Sequence, residues 1–325
     1  MNPVLQALQA NGYVCLPSLI TGSLLDQLRE DLGHAIDRCR QVQLENGITQ
    51  RTEQTAHHIL MQDSSFVELL NRFAEWGIVD ILRHMLGGAA ILNSFGGLNN
   101  LSSTDAYVRN VHRDVRSWSA ESMQMAQALV LLDDFTVDNG ATLFLPGSHA
   151  APDKPDPQVF EEQARKALGS AGSIYLFDSR IWHAAGVNRT DLPRRCLTLT
   201  FTRSYFKPQF DYCRALGEDF CRSQTPSMQQ LLGWYARTPS TLHEWYQPEE
   251  QRFYRKKSGI TPCPYAITTK SFRITLTAAT STISIRGCDA TCWTASAPGW
   301  RRDRPWKWAA SKVPLRRCSP NALPT

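Results

Sequence analysis

No apolar run in this 325-residue chain approaches the roughly twenty residues needed to cross a bilayer, so neither a transmembrane helix nor a membrane partner is expected. The first residues, Met1, Asn2, Pro3, Val4 and Leu5, lack a basic segment followed by an apolar one, which gives no secretory signal. Nine cysteines are an odd number and follow neither metal-type nor disulfide-framework spacing, so reduced thiols in a cytoplasmic protein are expected. Cys15, Cys39 and Cys196 sit in apolar surroundings, where a cysteine acts as a small buried hydrophobe. Acidic residues are scarce in one region only. Residues 260–325 hold no glutamate and two aspartates against ten Lys/Arg. The rest of the chain holds 25 of the 35 basic and 28 of the 30 acidic residues, so the net charge of +5 comes from the tail. The mildly acidic body has no nucleic-acid footprint.

Composition thus separates a body, residues 1–259, from a tail, residues 260–325. The tail has four of the nine tryptophans and four of the nine cysteines, and around Trp300, Trp306 and Trp308 it has neither helical nor strand periodicity. Arg- and Trp-rich segments can bind nucleic acid or membrane surfaces. A segment this poor in acidic and periodic apolar residues cannot define a core, however, and its composition matches an out-of-frame reading of a GC-rich gene. The expectation is a disordered tail with no evolved fold.

The body begins with helices around one strand. Residues 12–16 read as the strand, and Leu25, Leu28, Leu32 and Ile36 follow helical spacing after Ser23, an expected N-cap with Asp26 three residues on. Residues 45–55 are polar, a loop or an early strand. Two more helices are expected through Phe66–Phe73 and Ile78–Leu86, stopping at Gly87 and Gly88. From residue 89 to 206 the pattern changes to short strands separated by Gly, Asn and Pro turns. A charged, Pro-rich insertion with a helix from Pro157 interrupts it, and a further helical region covers residues 227–246.

Within the strand-rich part lies the densest chemistry. Residues 110–115 alternate and are expected to form a strand, which would turn the His112 imidazole and the Asp114 carboxylate to one face. The apolar run 173–177 leads through Asp178 to His183, a second imidazole. Two histidines and one carboxylate leave three positions open on a metal, the arrangement of non-haem Fe(II) oxygenases. A structural zinc site would fill all four of its positions. Between the halves, Asn139-Gly140 and Pro146-Gly147 are turn signals around a short apolar strand. Eleven residues after His183 comes Arg194, with an alternating strand signal at 196–201.

Taken together, these residues resemble the phytanoyl-CoA dioxygenase family of Fe(II)- and 2-oxoglutarate-dependent oxygenases. The matching motifs are the H-x-D of His112 and Asp114, the N-G-x-x-x-x-x-P-G-S-H of residues 139–149, and the H-x-x-G-x-N of residues 183–188 with its arginine, Arg194. The resemblance spans about residues 11–254. It implies a mainly β fold with flanking helices and a double-stranded β-helix (jelly-roll, cupin-like) core. It also implies Fe(II) held by His112, Asp114 and His183, and 2-oxoglutarate as cosubstrate held partly by Arg194. A guanidinium suits the cosubstrate's distal carboxylate because it can make a bidentate, charge-assisted pair. Arg194 and Arg195 face opposite sides of a strand, and family spacing selects Arg194; Arg195 is expected to be a solvated charge and Arg189 an exposed turn residue. The implied reaction oxidises a small organic substrate with O₂, releasing succinate and CO₂. An intact Asp114 favours hydroxylation, since related halogenases have a small residue there.

Further candidates are weighed on their neighbours. His149 belongs to the family pattern and is expected to shape its loop. His57 or His58 either lines the pocket or is satisfied locally. Trp118 and Gln127 border the cosubstrate or belong to a pocket wall or core. Ahead of H-x-D, where the family has a polar position, this chain departs with Arg109 and Asn110. The alternatives are a cupin-like barrel using another metal, and a non-catalytic barrel that binds a small ligand. Truncation after Gly259 tests the division of the chain: iron binding, 2-oxoglutarate affinity and the thermal unfolding midpoint are expected to be retained, with solubility equal or better. A truncated protein that unfolds or loses iron would show that the tail packs on the body.

Overall fold

Asn2 starts the first helix, α1 (Pro3–Asn11), by accepting a hydrogen bond from the Val4 amide at 2.8 Å, and Pro3 supplies a first residue already set for helix. The computed structural model describes residues 2–49, 54–102, 109–115, 117–248 and 251–252, together with the backbone of strands Phe272–Leu276 and Ile283–Gly287. After β1 (Tyr13–Leu16) comes α2 (Ser23–Glu45), which buries Leu25, Leu28, Leu32 and Ile36 as their spacing predicts. Its N-cap is Gly22, not Ser23: no side chain caps this end, and Asp26 pairs with Arg29 at 2.7 Å instead. β2 (Thr55–His57), α3 (Ser64–Glu75) and α4 (Ile78–Leu86) follow, and Gly87 ends α4 in the left-handed conformation.

The strands that follow are β3 (Ala90–Asn100), β4 (Met125–Leu131), β5 (Leu143–Phe144), β6 (Arg165–Lys166), β7 (Ile174–Asp178), β8 (His183–Ala184) and β9 (Arg194–Arg203). α5 (Pro157–Gln163) interrupts them, capped by Asp156. They build an antiparallel six-stranded sheet in the order β1-β7-β4-β9-β3-β2 and a three-stranded sheet, β6-β5-β8. Short helices α6 (Tyr212–Leu216), α7 (Glu218–Ser223), α8 (Pro226–Leu231) and α9 (Leu242–Trp245) follow β9. Of residues 260–325, an antiparallel pair is described, β10 (Phe272–Leu276) with β11 (Ile283–Gly287). The remaining tail, including the tryptophan cluster near residue 300, lies outside the described residues.

Strand alternation divides the core in two. Ala126, Ala128 and Val130 of β4, Ile174 and Leu176 of β7, and Leu197, Leu199 and Phe201 of β9 pack with the apolar stripes of α1–α4. The intervening Leu129, Leu131, Tyr175, Phe177 and Cys196 meet Phe144 from the smaller sheet and Ala141 from the turn before it. Both faces of the large sheet are therefore buried, which is why its strands read as continuous apolar runs. The two buried faces are unequal in role: one is a helix-covered wall, the other faces the smaller sheet and the histidines.

The Asn139-Gly140 turn docks on the segment after His183. Asn139 bridges Asn188, and the Asn188 side chain donates to the carbonyls of Asn100 and Leu192, both at 2.8 Å. At Gly140 (φ +79°) a Cβ would stand 2.7 Å from the Gly186 carbonyl oxygen and 2.8 Å from the Asn188 amide. Both neighbours are backbone and cannot rotate away. Gly140→Ala is expected to destabilise the protein by on the order of 3 kcal/mol, read from the denaturant midpoint. Gly33→Ala, in an exposed part of α2 with no atom near its Cβ, should be neutral or stabilising by about 0.5–1 kcal/mol.

Candidate metal centre

β7 delivers His183 through a turn held by buried charge. Asp178, 1% exposed, accepts hydrogen bonds from the Arg180 amide at 2.9 Å and its guanidinium at 2.6 Å, while Arg180 Nη1 donates to the Ser119 carbonyl at 2.7 Å. The next support comes from the Pro146-Gly147-Ser148-His149 turn. Ser148 Oγ accepts from the Trp182 amide at 2.9 Å and donates to the Leu145 carbonyl at 2.7 Å, fixing the residue before His183. His149 is buried, and its Nε2 lies 3.2 Å from the Gln9 carbonyl, so it ties the turn to α1 as a loop-shaping residue. The Asp178–Arg180 pair was not foreseen; its sequence signal, two opposite charges two residues apart after an apolar strand, is too common to single out.

His112 arrives differently from expectation. Residues 110–115 form no strand: His112 makes one isolated bridge to His183, exchanging hydrogen bonds of 3.0 and 2.9 Å, and the Asp114 amide donates to Ser179 at 3.1 Å. These contacts pin a short extended stretch, which is enough to send both side chains to one point. The imidazole centroids are 4.3 Å apart. Asp114 Oδ1 lies 3.6 Å from His112 Nε2, and Oδ2 lies 3.5 Å from His183 Nε2. One donor atom from each residue falls within 4.8 Å of the others.

Both rings are oriented from behind. His112 Nδ1 is 2.7 Å from the Asn110 carbonyl and His183 Nδ1 is 3.1 Å from that of Ile181, so Nδ1 carries the proton and each Nε2 presents a lone pair. Burial pushes the His183 pKa down, which keeps the ring neutral as a metal requires, although Asp114 opposes the shift. Two neutral nitrogens and one carboxylate oxygen suit a divalent transition metal. His183 is buried against Phe144 and Phe177, whereas His112 and Asp114 are half-exposed, so the group opens on their side.

The face of the large sheet beside this group is polar. Gln127 of β4 donates through Nε2 to Asp114 Oδ2 at 2.6 Å and accepts from Thr200 Oγ1 of β9 at 2.9 Å. Further along that face Thr198 is exposed although β9 is an interior strand, while Arg194, Cys196 and Thr200 around it are buried. Beside it Gly96 lacks a side chain; a Cβ there would stand 3.4 Å from Thr198 Oγ1 and 3.5 Å from His57 Nδ1. The exposed His57 and Thr198 thus flank Gly96, whose Cβ would also stand 2.8 Å from the Ala56 carbonyl oxygen. His58 instead stacks on Phe210 with centroids 4.9 Å apart and contacts the Tyr212 hydroxyl at 3.3 Å, a locally satisfied histidine.

Neighbouring arginines have opposite environments. Arg195 makes a two-pronged pair with Asp133, at 2.9 and 2.8 Å, so it is a paired structural charge and not the solvated one expected. Arg194 is fully buried, lies 4.4 Å over the Phe135 ring and touches Cys196 Sγ at 3.4 Å, yet its Nε and Nη2 have no hydrogen-bond partner. Burial lowers its pKa. A buried guanidinium with two unpaired nitrogens and no counter-ion suits an anion. Arg109 also has a buried Nε and Nη2 without a partner, Arg189 is exposed as expected, and Trp118 donates to the His149 carbonyl at 3.2 Å, a loop contact. A separate recess of about 1110 Å³ beside α6–α8, lined by Tyr205, Lys207, Tyr212 and Trp234 among others, includes none of the three candidate ligands.

Comparison with known proteins agrees with this geometry. Residues 8–196 match the family model described as phytanoyl-CoA dioxygenase. An uncharacterized protein of Mycobacterium tuberculosis is 38% identical over 187 residues, 56% of this chain and 68% of the relative. The dioxygenase trt7 of Aspergillus terreus is 23% identical over 263 residues, 76% of this chain and 88% of the relative. Among solved structures, the non-heme alpha ketoglutarate dependent epimerase SnoN from nogalamycin biosynthesis shares the fold, with a TM-score of 0.51 at 16% identity, covering 66% of this chain and 89% of that one. With the family model matching more than half of its length, the chain belongs to the phytanoyl-CoA dioxygenase family of Fe(II)- and 2-oxoglutarate-dependent enzymes.

Proposed function

We propose that this 2-oxoglutarate-dependent dioxygenase hydroxylates a small organic molecule, such as a secondary metabolite, in the space between the two sheets of a double-stranded β-helix. His112 Nε2, an Asp114 oxygen and His183 Nε2 would hold Fe(II), and Arg194 would pair with the distal carboxylate of 2-oxoglutarate. The buried Arg194 guanidinium, whose Nε and Nη2 have no hydrogen-bond partner, carries this reading. Arg195, one residue away, already has its counter-ion in Asp133, so the missing anion belongs to Arg194 alone of the two. When bound, iron supplies the redox chemistry by which O₂ and 2-oxoglutarate become succinate, CO₂ and one oxygen atom placed on the substrate.

The chain's own residues do the positioning. The backbone carbonyls of Asn110 and Ile181 keep both Nε2 atoms unprotonated and aimed at Asp114. Phe144 and Phe177 exclude water from the His183 side and leave the half-exposed His112 and Asp114 side for substrate. His57 and Thr198 offer polar contacts beside Gly96. The curated relatives named as dioxygenases support the reaction class. Sparse Lys/Arg around the sheets argues against a coenzyme A phosphate site and for a small substrate.

Succinate formation by the full-length protein, with and without candidate substrates, tests the proposal. His112→Ala, Asp114→Ala and His183→Ala are each expected to abolish it while the fold persists. Arg194→Ala should raise the KM for 2-oxoglutarate by an amount equivalent to about 2–5 kcal/mol, the cost of losing a desolvated charge pair. Arg195→Ala should lower stability with little effect on that KM. The reverse ranking would identify the other arginine as the anchor, and equal small effects would remove 2-oxoglutarate as cosubstrate.

A further inference from the structure

We infer that Gln127 is a positioning residue for the metal centre: held by Thr200, its amide fixes the Asp114 carboxylate so that one oxygen is left for a metal ion. This rests on reading His112, Asp114 and His183 as the iron ligands. The two histidines are steered by backbone carbonyls, which substitution cannot remove. Asp114 is steered by a side chain. Its carboxylate has one hydrogen bond among the described residues, the 2.6 Å contact from Gln127 Nε2 to Oδ2.

The orientation of that amide follows from both of its neighbours. Asp114 offers only acceptors, so the amide must turn its NH₂ towards it; the reverse orientation would set oxygen against oxygen. On the other side Thr200 Oγ1 donates to Gln127 Oε1 at 2.9 Å, which favours the same orientation. Gln127 and Thr200 are register partners on adjacent strands β4 and β9, so the sheet itself sets their spacing. They are 7% and 8% exposed, so water does not compete effectively for the contact between them, while Asp114 at the other end of the amide is half-exposed. A hydrogen bond to an ionised carboxylate in such a place is strong. With Oδ2 occupied by the amide, Oδ1 accepts from no donor among the described residues and lies on the side of His112 Nε2.

Mn(II) binding to the metal-free, full-length protein provides the test, followed by electron paramagnetic resonance, with thermal unfolding of each metal-free variant alongside. Gln127→Leu is expected to raise the Mn(II) Kd by about 10–100-fold, the usual effect of removing the support behind a ligand. Thr200→Val should give a smaller rise and Thr200→Ser should restore the wild-type value, without a matching trend in unfolding midpoints. Bound Co(II) should show a changed visible spectrum in Gln127→Leu, because its carboxylate ligand is no longer held in one orientation. His183→Ala serves as the reference and should not bind. If it binds Mn(II) like the wild type, the three-residue metal centre is wrong and the inference falls with it. If it fails to bind while Gln127→Leu and Thr200→Val retain wild-type affinity, the centre stands and the role of Gln127 is overturned. Should Gln127→Leu not fold, the Thr200 pair decides the matter.

Discussion

Two hydrogen bonds exchanged between the backbones of His112 and His183 join segments seventy-one residues apart, and the candidate metal centre depends on that junction. Neither segment is long enough there to be a stable strand by itself. Each is positioned by what precedes and follows it: Asp114 by Ser179, Trp182 by Ser148, and the turn before His183 by the Asp178–Arg180 pair. Because these supports act on the backbone, the imidazole rings are placed by the protein's own hydrogen bonds. Preorganisation of this kind lowers the ordering that binding must impose.

Electrostatics supplies the second constraint. The interior face of the large sheet buries one arginine without a counter-ion, beside another that has one. In a low-dielectric space an uncompensated charge is costly, and its cost is recovered when an anion enters. The same reasoning explains why the polar groups near Asp114 are few and mutually bonded. Thr200, Gln127 and Asp114 form a series in which the hydroxyl donates to the amide oxygen and the amide nitrogen donates to the carboxylate.

Much of this was legible in the chain. The helices α2, α3 and α4 follow from the spacing of their leucines and phenylalanines, and glycine ends α4 as expected. The convergence of His112, Asp114 and His183 as candidate ligands was legible because H-x-D, a later histidine and an arginine eleven residues on occur in a fixed order with turn residues between them. Ser23 failed as a cap because Gly22 takes the non-helical position one residue earlier, leaving Ser23 as the first residue of the helix. The strand expected at 110–115 failed because alternation cannot distinguish a paired strand from a short extended stretch pinned at two points. Arg195 was misread because its partner, Asp133, lies sixty-two residues away in the sequence.

Residue types and their spacing determined which groups could ligate a metal, which arginine spacing to favour, and where turns must occur, since those properties are local. Tertiary structure decided everything that depends on pairing across the sheet. Gln127 became the support of Asp114 only because β4 lies beside β9, in a register that sets it against Thr200. Thr198 and His57 came to flank one point only because β2, β3 and β9 are neighbours and Gly96 on β3 places no side chain between them. A glutamine or a glycine carries no mark of such a role in the chain itself. Its meaning comes from neighbours that are far away in sequence, brought close by burial of the apolar faces on either side of the sheet.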